Sequence, residues 1–280
     1  MSSANSFFNS SSNVGLWLNK PATCDLSLYC SDQLNTPIQT SMPLNCAYIV
    51  EFSEQGVQLH ACEHANYKPL KLDFTAGGAA HRRKFGGGQG QMIAKAVGLI
   101  GKLAPHVFDA TAGLGGDSFV LACLGCKVTL MERSPVAYVL LADALIRARL
   151  YAEQFDAELL EIVRRIELIP GNSIEYLQSY AGFYPVVYLD PMFPERQKTA
   201  AVKKEMQLFH TLIGKDDDSA ELFTQALKKA WCRVVVKRPR LAPALSDARV
   251  NLTLEGKSCR FDIYTHRKIT SEKLAENFYG

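Results

Sequence analysis

Val107-Phe108-Asp109-Ala110-Thr111-Ala112-Gly113-Leu114-Gly115-Gly116-Asp117 decides the fold of this chain. Apolar residues run into an acid and then into a glycine-rich turn, behind which Asp117-Ser118-Phe119-Val120-Leu121-Ala122 opens a helix. Strand, tight turn and helix in that order are the first half of a βαβ unit. Gly113, Gly115 and Gly116 admit backbone conformations closed to other residues and let a ligand come close to the main chain. The helix behind them points free N–H groups at whatever is bound. Lys127-Val128-Thr129-Leu130-Met131 is the next strand and ends in Glu132-Arg133. An acid at that strand end suits hydrogen bonding to ribose hydroxyls.

The same alternation continues outward. A helix is expected over 91–103, strands near 106–110, 127–131, 166–170 and 185–190, and helices near 117–125, 134–151, 153–165, 173–180, 200–213 and 219–230. The last strands, Cys232 to Lys237, about 250–256 and 259–265, have hairpin spacing. Crossover helices enforce parallel neighbours, so the pattern predicts a mostly parallel sheet with an antiparallel C-terminal hairpin. Ligands of such sheets bind beyond the carboxyl ends of the strands, where Asp109, Glu132, Asn172 and Asp190 all fall.

Two cofactor readings share the glycine turn. A dinucleotide site would carry the full G-x-G-x-x-G/A and face a pyrophosphate. Here the third glycine is out of place, and Asp109 and Asp117 flank the loop. Acids suit a cofactor with an amino group and a sulfonium, which favours S-adenosylmethionine. A second motif, Asp190-Pro191-Met192-Phe193, follows the buried run Pro185-Val186-Val187-Tyr188-Leu189. An acid, a stiff proline and an aromatic at a strand end suit a flat amine. The carboxylate or a carbonyl accepts from NH2, and Phe193 offers a face for stacking.

Taken together these segments resemble the bacterial small-subunit ribosomal RNA guanine-N2 methyltransferase family RsmJ. The likeness lies in Asp109-Ala110-Thr111-Ala112-Gly113-Leu114-Gly115, Glu132-Arg133, Leu189-Asp190-Pro191-Met192-Phe193 and Val202-Lys203-Lys204-Glu205-Met206. It extends to His81-Arg82-Arg83-Lys84-Phe85-Gly86-Gly87-Gly88, Val234-Val235-Val236-Lys237-Arg238-Pro239 and Arg260-Phe261-Asp262-Ile263-Tyr264. The order and spacing match from about residue 70 to 266, and the first sixty-odd residues carry much less of it. The resemblance implies an α/β fold, a Rossmann-like class I S-adenosylmethionine-dependent methyltransferase sheet with a small N-terminal strand-rich domain. It also implies methylation of a guanine N2 amine in 16S ribosomal RNA, with free RNA or the small ribosomal subunit as partner.

Residue roles follow. Asp109, Gly113, Gly115, Gly116 and Asp117 are expected to hold the methionine part of the cofactor, and Glu132 the ribose. Arg133 would lie against the adenine, or else be a solvated charge. Asn172 and Ser173 would read the adenine amine, as the family pattern implies, although Ser173 also suits a helix N-cap and Asp117 a cap of its own helix. Asp190, Pro191 and Phe193 are the catalytic candidates: Asp190 orients the amine and is also counted among the cofactor contacts, Pro191 fixes the turn, and Phe193 stacks the base. Arg82, Arg83 and Lys84 sit in a glycine-rich segment expected to be a mobile phosphate-gripping loop. Lys203, Lys204, Lys237 and Arg238 are the other candidates for an RNA track.

Composition is compatible with this reading. The chain has 280 residues and 48% hydrophobic residues, enough for a substantial core, and a net charge of only +3, so RNA affinity has to come from local clusters. Division is expected into residues 1–90, a small N-terminal α/β cap ending in the basic glycine-rich loop, and 91–280, the methyltransferase domain. Within the cap, Gly15-Leu16-Trp17-Leu18, Cys24 to Tyr29, Cys46 to Phe52 and Val57 to Cys62 read as short apolar segments, and Leu70-Lys71-Leu72-Asp73-Phe74 alternates as a strand. The eight cysteines show no disulfide framework and no paired metal spacing. Cys123-Leu124-Gly125-Cys126 reads as core packing around a helix stop. No metal, no membrane span and a cytoplasmic location are expected. The alternatives are an amino methyltransferase acting on adenine N6, and a cofactor-binding RNA module with little catalysis.

Overall fold

The computed structural model describes residues 13–19, 24–62, 68–85, 88–101, 103–192 and 217–271. The chain forms two compact units, one from Met1–Asp73, Ser134–Arg147 and Met192–Asp216, the other from Phe74–Arg133, Ala148–Pro191 and Asp217–Gly280.

In the first unit a four-stranded sheet has the order β2-β1-β3-β4. Its strands are β1 (Val14–Asn19), β2 (Ile38–Gln39), β3 (Tyr48–Ser53) and β4 (Gly56–Ala61). β1 runs parallel to β2 and β3, and β3 and β4 form an antiparallel hairpin. The segment from Cys24 to Tyr29, read as one more short apolar stretch, lies in helix α1 (Cys24–Leu34). Its buried Ser27 and Cys30 and half-buried Ser31 and Leu34 recur at helical spacing. Leu70 to Phe74 is not a strand: it makes a single bridge, with Leu59 and Leu70 exchanging N–H···O bonds at 2.9 Å. Lys71 and Asp73 are exposed and Leu70 and Leu72 only half-buried, which leaves too little buried apolar surface to hold a longer ladder.

Among the described residues the second unit is built on a seven-stranded sheet, order β10-β11-β9-β8-β5-β6-β7. The strands are β5 (Val107–Asp109), β6 (Val128–Glu132), β7 (Ile166–Pro170), β8 (Tyr184–Leu189), β9 (Ala230–Pro239), β10 (Leu252–Glu255) and β11 (Cys259–Thr265). β5 to β9 are mutually parallel, and β11 and β10 close the edge antiparallel. The parallel strands are covered on both faces, which is why β6 and β8 are buried at every position. Phe108, Leu177, Val187, Phe223, Ala226 and Val234 share one core cluster. Each large apolar side chain fully buried there stabilises the fold by roughly 1.5–3 kcal/mol.

The helices of this unit begin with α2 (Gly77–Phe85), α3 (Met92–Val97) and α4 (Gly116–Cys123). α5 (Pro135–Phe155) contributes its first part to the other unit, and α6 (Ala157–Val163), α7 (Ser173–Ser179) and α8 (Ser219–Lys229) follow. Two expectations change. The basic segment is helical through Phe85 rather than a loop, because Ala79, Ala80, Arg82, Arg83 and Lys84 are good helix formers and the run of glycines that follows them begins only at Gly86. The helix expected over 91–103 ends at Val97, where Gly98 turns left-handed at φ 79° and donates back to Lys95. The helix expected over 200–213 lies outside the described residues. Cys126 is fully buried, which pushes its thiol up to about 12, and Cys123 is half-buried.

Candidate active site

The chain runs from β5 outward to β6 and β7, then returns to place β8 on the other side of β5. This is the topological switch point of an open α/β sheet, where the helical connections on either side diverge and leave a crevice at the carboxyl ends. Asp109 closes β5 and Asp190 follows β8 at this point.

The glycine loop is built by its own acids. Asp109 is 2% exposed. Its Oδ1 accepts from Thr111 N at 3.0 Å and its Oδ2 from Ser118 Oγ, tying the loop to the first turn of α4. Burial pushes this carboxyl up to about 7 against the pull of those two hydrogen bonds, and the charges of Asp117 and Asp190 push the same way. Gly113 and Gly115 adopt φ of 54° and 71°, and Gly115 is the N-cap of α4. From the end of β6, Glu132 Oε2 accepts from Gly113 N at 2.7 Å.

The second motif is fastened to this loop. Thr111 Oγ1 accepts from Asp190 N at 2.7 Å. The Leu189–Val236 pairing of β8 and β9 sets Asp190 and Lys237 side by side one residue farther on. Lys237 Nζ donates to Asp190 Oδ2 at 2.8 Å and to Asp117 Oδ2 at 2.7 Å, and the buried Tyr188 hydroxyl donates to Asp117 Oδ2 at 2.6 Å. Burial works against the Lys237 charge, yet Asp190 and Asp117 outweigh it and hold the ammonium above its usual range. Burial, with the same two carboxylates, keeps the Tyr188 hydroxyl a neutral donor well above the usual phenol value. The site is thus a set of carboxylates around a glycine turn, with one lysine balancing two of them.

A family model for SAM-dependent methyltransferases matches residues 33–266. The chain belongs to that family. It is 50% identical over 227 residues to "Ribosomal RNA small subunit methyltransferase J" of Cellvibrio japonicus, covering 80% of this chain and 85% of that protein. It is 49% identical over 240 residues to the protein of the same name from Pseudomonas fluorescens, covering 85% and 89%. Its fold matches the crystal structure of a SAM-dependent methyltransferase from Neisseria gonorrhoeae with a TM-score of 0.68 at 33% identity, over 94% of this chain and 99% of that one.

The methyl donor of this methyltransferase is S-adenosylmethionine, and the residues present fit it. The donor set is acidic, as a cationic cofactor requires. A Cβ built on Gly116 would meet nothing within 4 Å, so the turn leaves open space above its backbone. Asn172 accepts from Ile174 N at 2.8 Å and is the N-cap of α7, a role the sequence suggested for Ser173. Ser173 Oγ instead donates to Ala110 O at 2.7 Å and anchors α7 to the loop. Asp117 is not a helix cap, since Gly115 holds that place. Asp109 is almost fully buried, and both its oxygens are engaged in shaping the loop. Arg133 pairs with Asp218 at 2.6 Å rather than standing as a solvated charge.

The expected RNA track is redrawn. Lys237 lies within the acidic cluster. Arg238 is 1% exposed and donates to Pro243 O, because its strand position points it into the protein. Arg83 is paired with Asp156 at 2.6 Å, largely out of solvent. Arg82 and Lys84 lie on helix α2 with side chains outside the description, and Phe193, Lys203 and Lys204 lie outside the described residues. Pro191 is buried at the turn, consistent with a rigid corner. Thr111, Ser118, Tyr188 and Lys237 are site residues that sequence reasoning either missed or assigned elsewhere. Lys237 becomes visible only when β9 is known to lie beside β8. Among the described residues no cluster of three or more potential metal ligands occurs, and no helix is long and apolar enough to cross a membrane.

Proposed function

We propose that this methyltransferase modifies the exocyclic N2 amine of a guanine in 16S ribosomal RNA. The observation that carries the reading is the hydrogen bond from Asp190 N to Thr111 Oγ1. It couples the amine-handling turn to the cofactor loop, so that one rigid corner governs both. The names of the relatives at about 50% identity support the target class.

Bound S-adenosylmethionine supplies an electrophilic methyl group on a positively charged sulfur. The backbone of Gly113 to Asp117 would hold its amino-acid part, Glu132 its ribose hydroxyls, and Asn172 its adenine edge. Asp109 keeps the loop in shape from below. The guanine amine is a weak nucleophile because its lone pair is delocalised into the ring. Asp190, accepting from the amine N–H, would fix the direction in which that lone pair points, and Pro191 would hold Asp190 in place. Alignment of this kind accounts for much of the acceleration open to such a site. Lys237 keeps Asp190 oriented and prevents Asp117 and Asp190 from repelling each other across the cleft. Phe193 would stack on the base.

The test is transfer of labelled methyl from S-adenosylmethionine to small ribosomal subunits lacking the modification, with the nucleoside identified by mass spectrometry. N2-methylguanosine at one position is the expected product. N6-methyladenosine would overturn the base assignment, and cofactor binding without transfer to subunits, free RNA or DNA would overturn the catalytic reading.

A further inference from the structure

Beyond Lys237, strand β9 carries the chain out of the sheet on the rim where Asp190 lies, into the loop Arg240 to Asn251. This loop is exposed yet tightly held. Arg260 Nη1 donates to Arg240 O at 2.8 Å, to Ala242 O at 2.6 Å and to Pro239 O at 3.3 Å, while its other nitrogens grip the buried Asp262. Arg238 Nε and Nη2 both donate to Pro243 O. Arg240 N donates to Ser258 O and Ala242 N to Pro239 O, closing the turn. Farther along, Leu245, Ala248 and Val250 tuck against the core cluster.

One large apolar residue of the loop is left out. Leu241 is 88% exposed, at the centre of the backbone that the two arginines hold. Burial would have gained it roughly 1.5–3 kcal/mol, and the backbone that presents it to solvent is the part held by Arg238 and Arg260. The exposed Arg240 precedes it directly, and farther along the loop the exposed Asp247 and Arg249 offset each other. An exposed leucine next to a cation on a rigid base is poorly suited to a protein interface, which needs a broader apolar core. It suits a nucleic acid, where cations meet phosphates and an apolar side chain enters between bases.

We propose that Leu241 is a wedge that enters the RNA base stack next to the target nucleotide and holds that nucleotide unstacked at Asp190, with Arg238 and Arg260 as its brace. This rests on the RNA reading above. An amine in a stacked, paired base cannot reach the half-buried Asp190 at its strand end, and unstacking costs a few kcal/mol per step that an inserted side chain offsets. The wedge acts on the bound complex, so its loss lowers the rate at saturating RNA more than it weakens binding.

The experiment compares the unaltered protein with Leu241→Ala, Leu241→Met and Leu241→Gln. Its readouts are single-turnover methyl transfer to unmodified small subunits, RNA and S-adenosylmethionine binding, and fluorescence of 2-aminopurine placed beside the target guanine in an RNA hairpin. Leu241→Ala and Leu241→Gln are expected to lose at least about tenfold in saturated rate, with both binding constants within about threefold, and to lose the fluorescence rise that reports unstacking. Leu241→Met is expected to keep most of both. If the unaltered protein methylates the subunits and Leu241→Ala matches it in rate and fluorescence, the wedge alone is overturned. A loss of RNA affinity with an unchanged saturated rate would also overturn it. If the unaltered protein transfers no methyl to RNA, the RNA reading fails and takes the wedge with it.

Discussion

Lys237 and Asp190 stand 2.8 Å apart at the ends of neighbouring parallel strands, and the same ammonium reaches Asp117 at 2.7 Å. The lysine thus joins the turn that would orient the substrate amine to the first turn of the cofactor-loop helix. Removing it takes away the ammonium that bridges the two carboxylates, and with it one of the contacts that hold the Asp190 side chain. Lys237→Met is therefore expected to lower methyl transfer about a hundredfold, with RNA affinity and its salt dependence little changed. Lys237→Arg should recover part of the rate. A residue of an RNA track would behave otherwise: Lys237→Met would then weaken RNA binding and flatten its salt slope by about 0.9 while sparing the saturated rate.

Asp109 carries a pH signature. Its carboxyl sits at about 7 in the folded protein, against 3.8 for an unperturbed aspartate, chiefly through burial. Below 3.8 both states are protonated, and the contribution of the neutral group to stability is fully present. Between 3.8 and about 7 the unfolded chain releases its proton while the folded protein keeps it, so stability falls as pH rises. The slope is at most about 1.4 kcal/mol per pH unit, and it levels once the folded group ionises as well. Asp109→Asn removes this one titration. Thermal melts of both proteins from pH 4 to 8 should show the unaltered protein losing Tm relative to the variant as pH climbs to 7. A difference in Tm that stays constant over that range would contradict the buried, neutral Asp109.

Arg83 separates a structural from an electrostatic role for the basic segment. Its guanidinium pairs with Asp156 at 2.6 Å, and Asp156 also caps helix α6 by accepting from Leu159 N at 2.9 Å. Arg83→Ala takes this guanidinium away from a largely buried carboxylate. The expected cost is about 1–3 kcal/mol of stability, below the range for a fully buried pair because solvent reaches Asp156. Urea unfolding measures it. The salt dependence of RNA binding should stay as in the unaltered protein, and a slope reduced by about 0.9 would instead put Arg83 on a phosphate.

How far the sequence reached depends on the kind of information each feature needs. The parallel strands were legible because burial on both faces writes them as continuous runs such as Val186-Val187-Tyr188-Leu189, and the glycine turn because Gly113 and Gly115 do need positive φ. Asp109, Glu132 and Asp190 were placed correctly at strand ends, since that follows from chain order alone. The side-chain pairing was not legible. Lys237 and Arg238 are adjacent and equally basic, yet one enters the acidic cluster and the other braces a loop, because successive strand residues point to opposite faces. Which face meets Asp190 depends on β9 lying beside β8. Leu70 to Phe74 shows the opposite limit, where correct alternation finds no partner beyond one bridge.

Gly115 and Gly116 are neighbours with different reasons to be glycine, and their alanine variants should part in sign. Gly115 holds φ 71°, so Gly115→Ala forces a side chain into the left-handed region and costs roughly 1–2 kcal/mol. Gly116 has no such constraint: it opens α4, and an added Cβ meets nothing within 4 Å. Gly116→Ala restricts the unfolded chain without straining the folded one, which raises stability by about 0.4–1 kcal/mol. The space that the new methyl enters lies above the turn where the cofactor's amino-acid part would pass. The same variant should therefore bind S-adenosylmethionine about tenfold more weakly, since a displaced contact of about 1.4 kcal/mol suffices for that factor. A thermal melt and a calorimetric titration on one preparation decide it. A stabilised variant with unaltered affinity would mean that the cofactor does not cross Gly116, and a destabilised one would mean that the open space is not open.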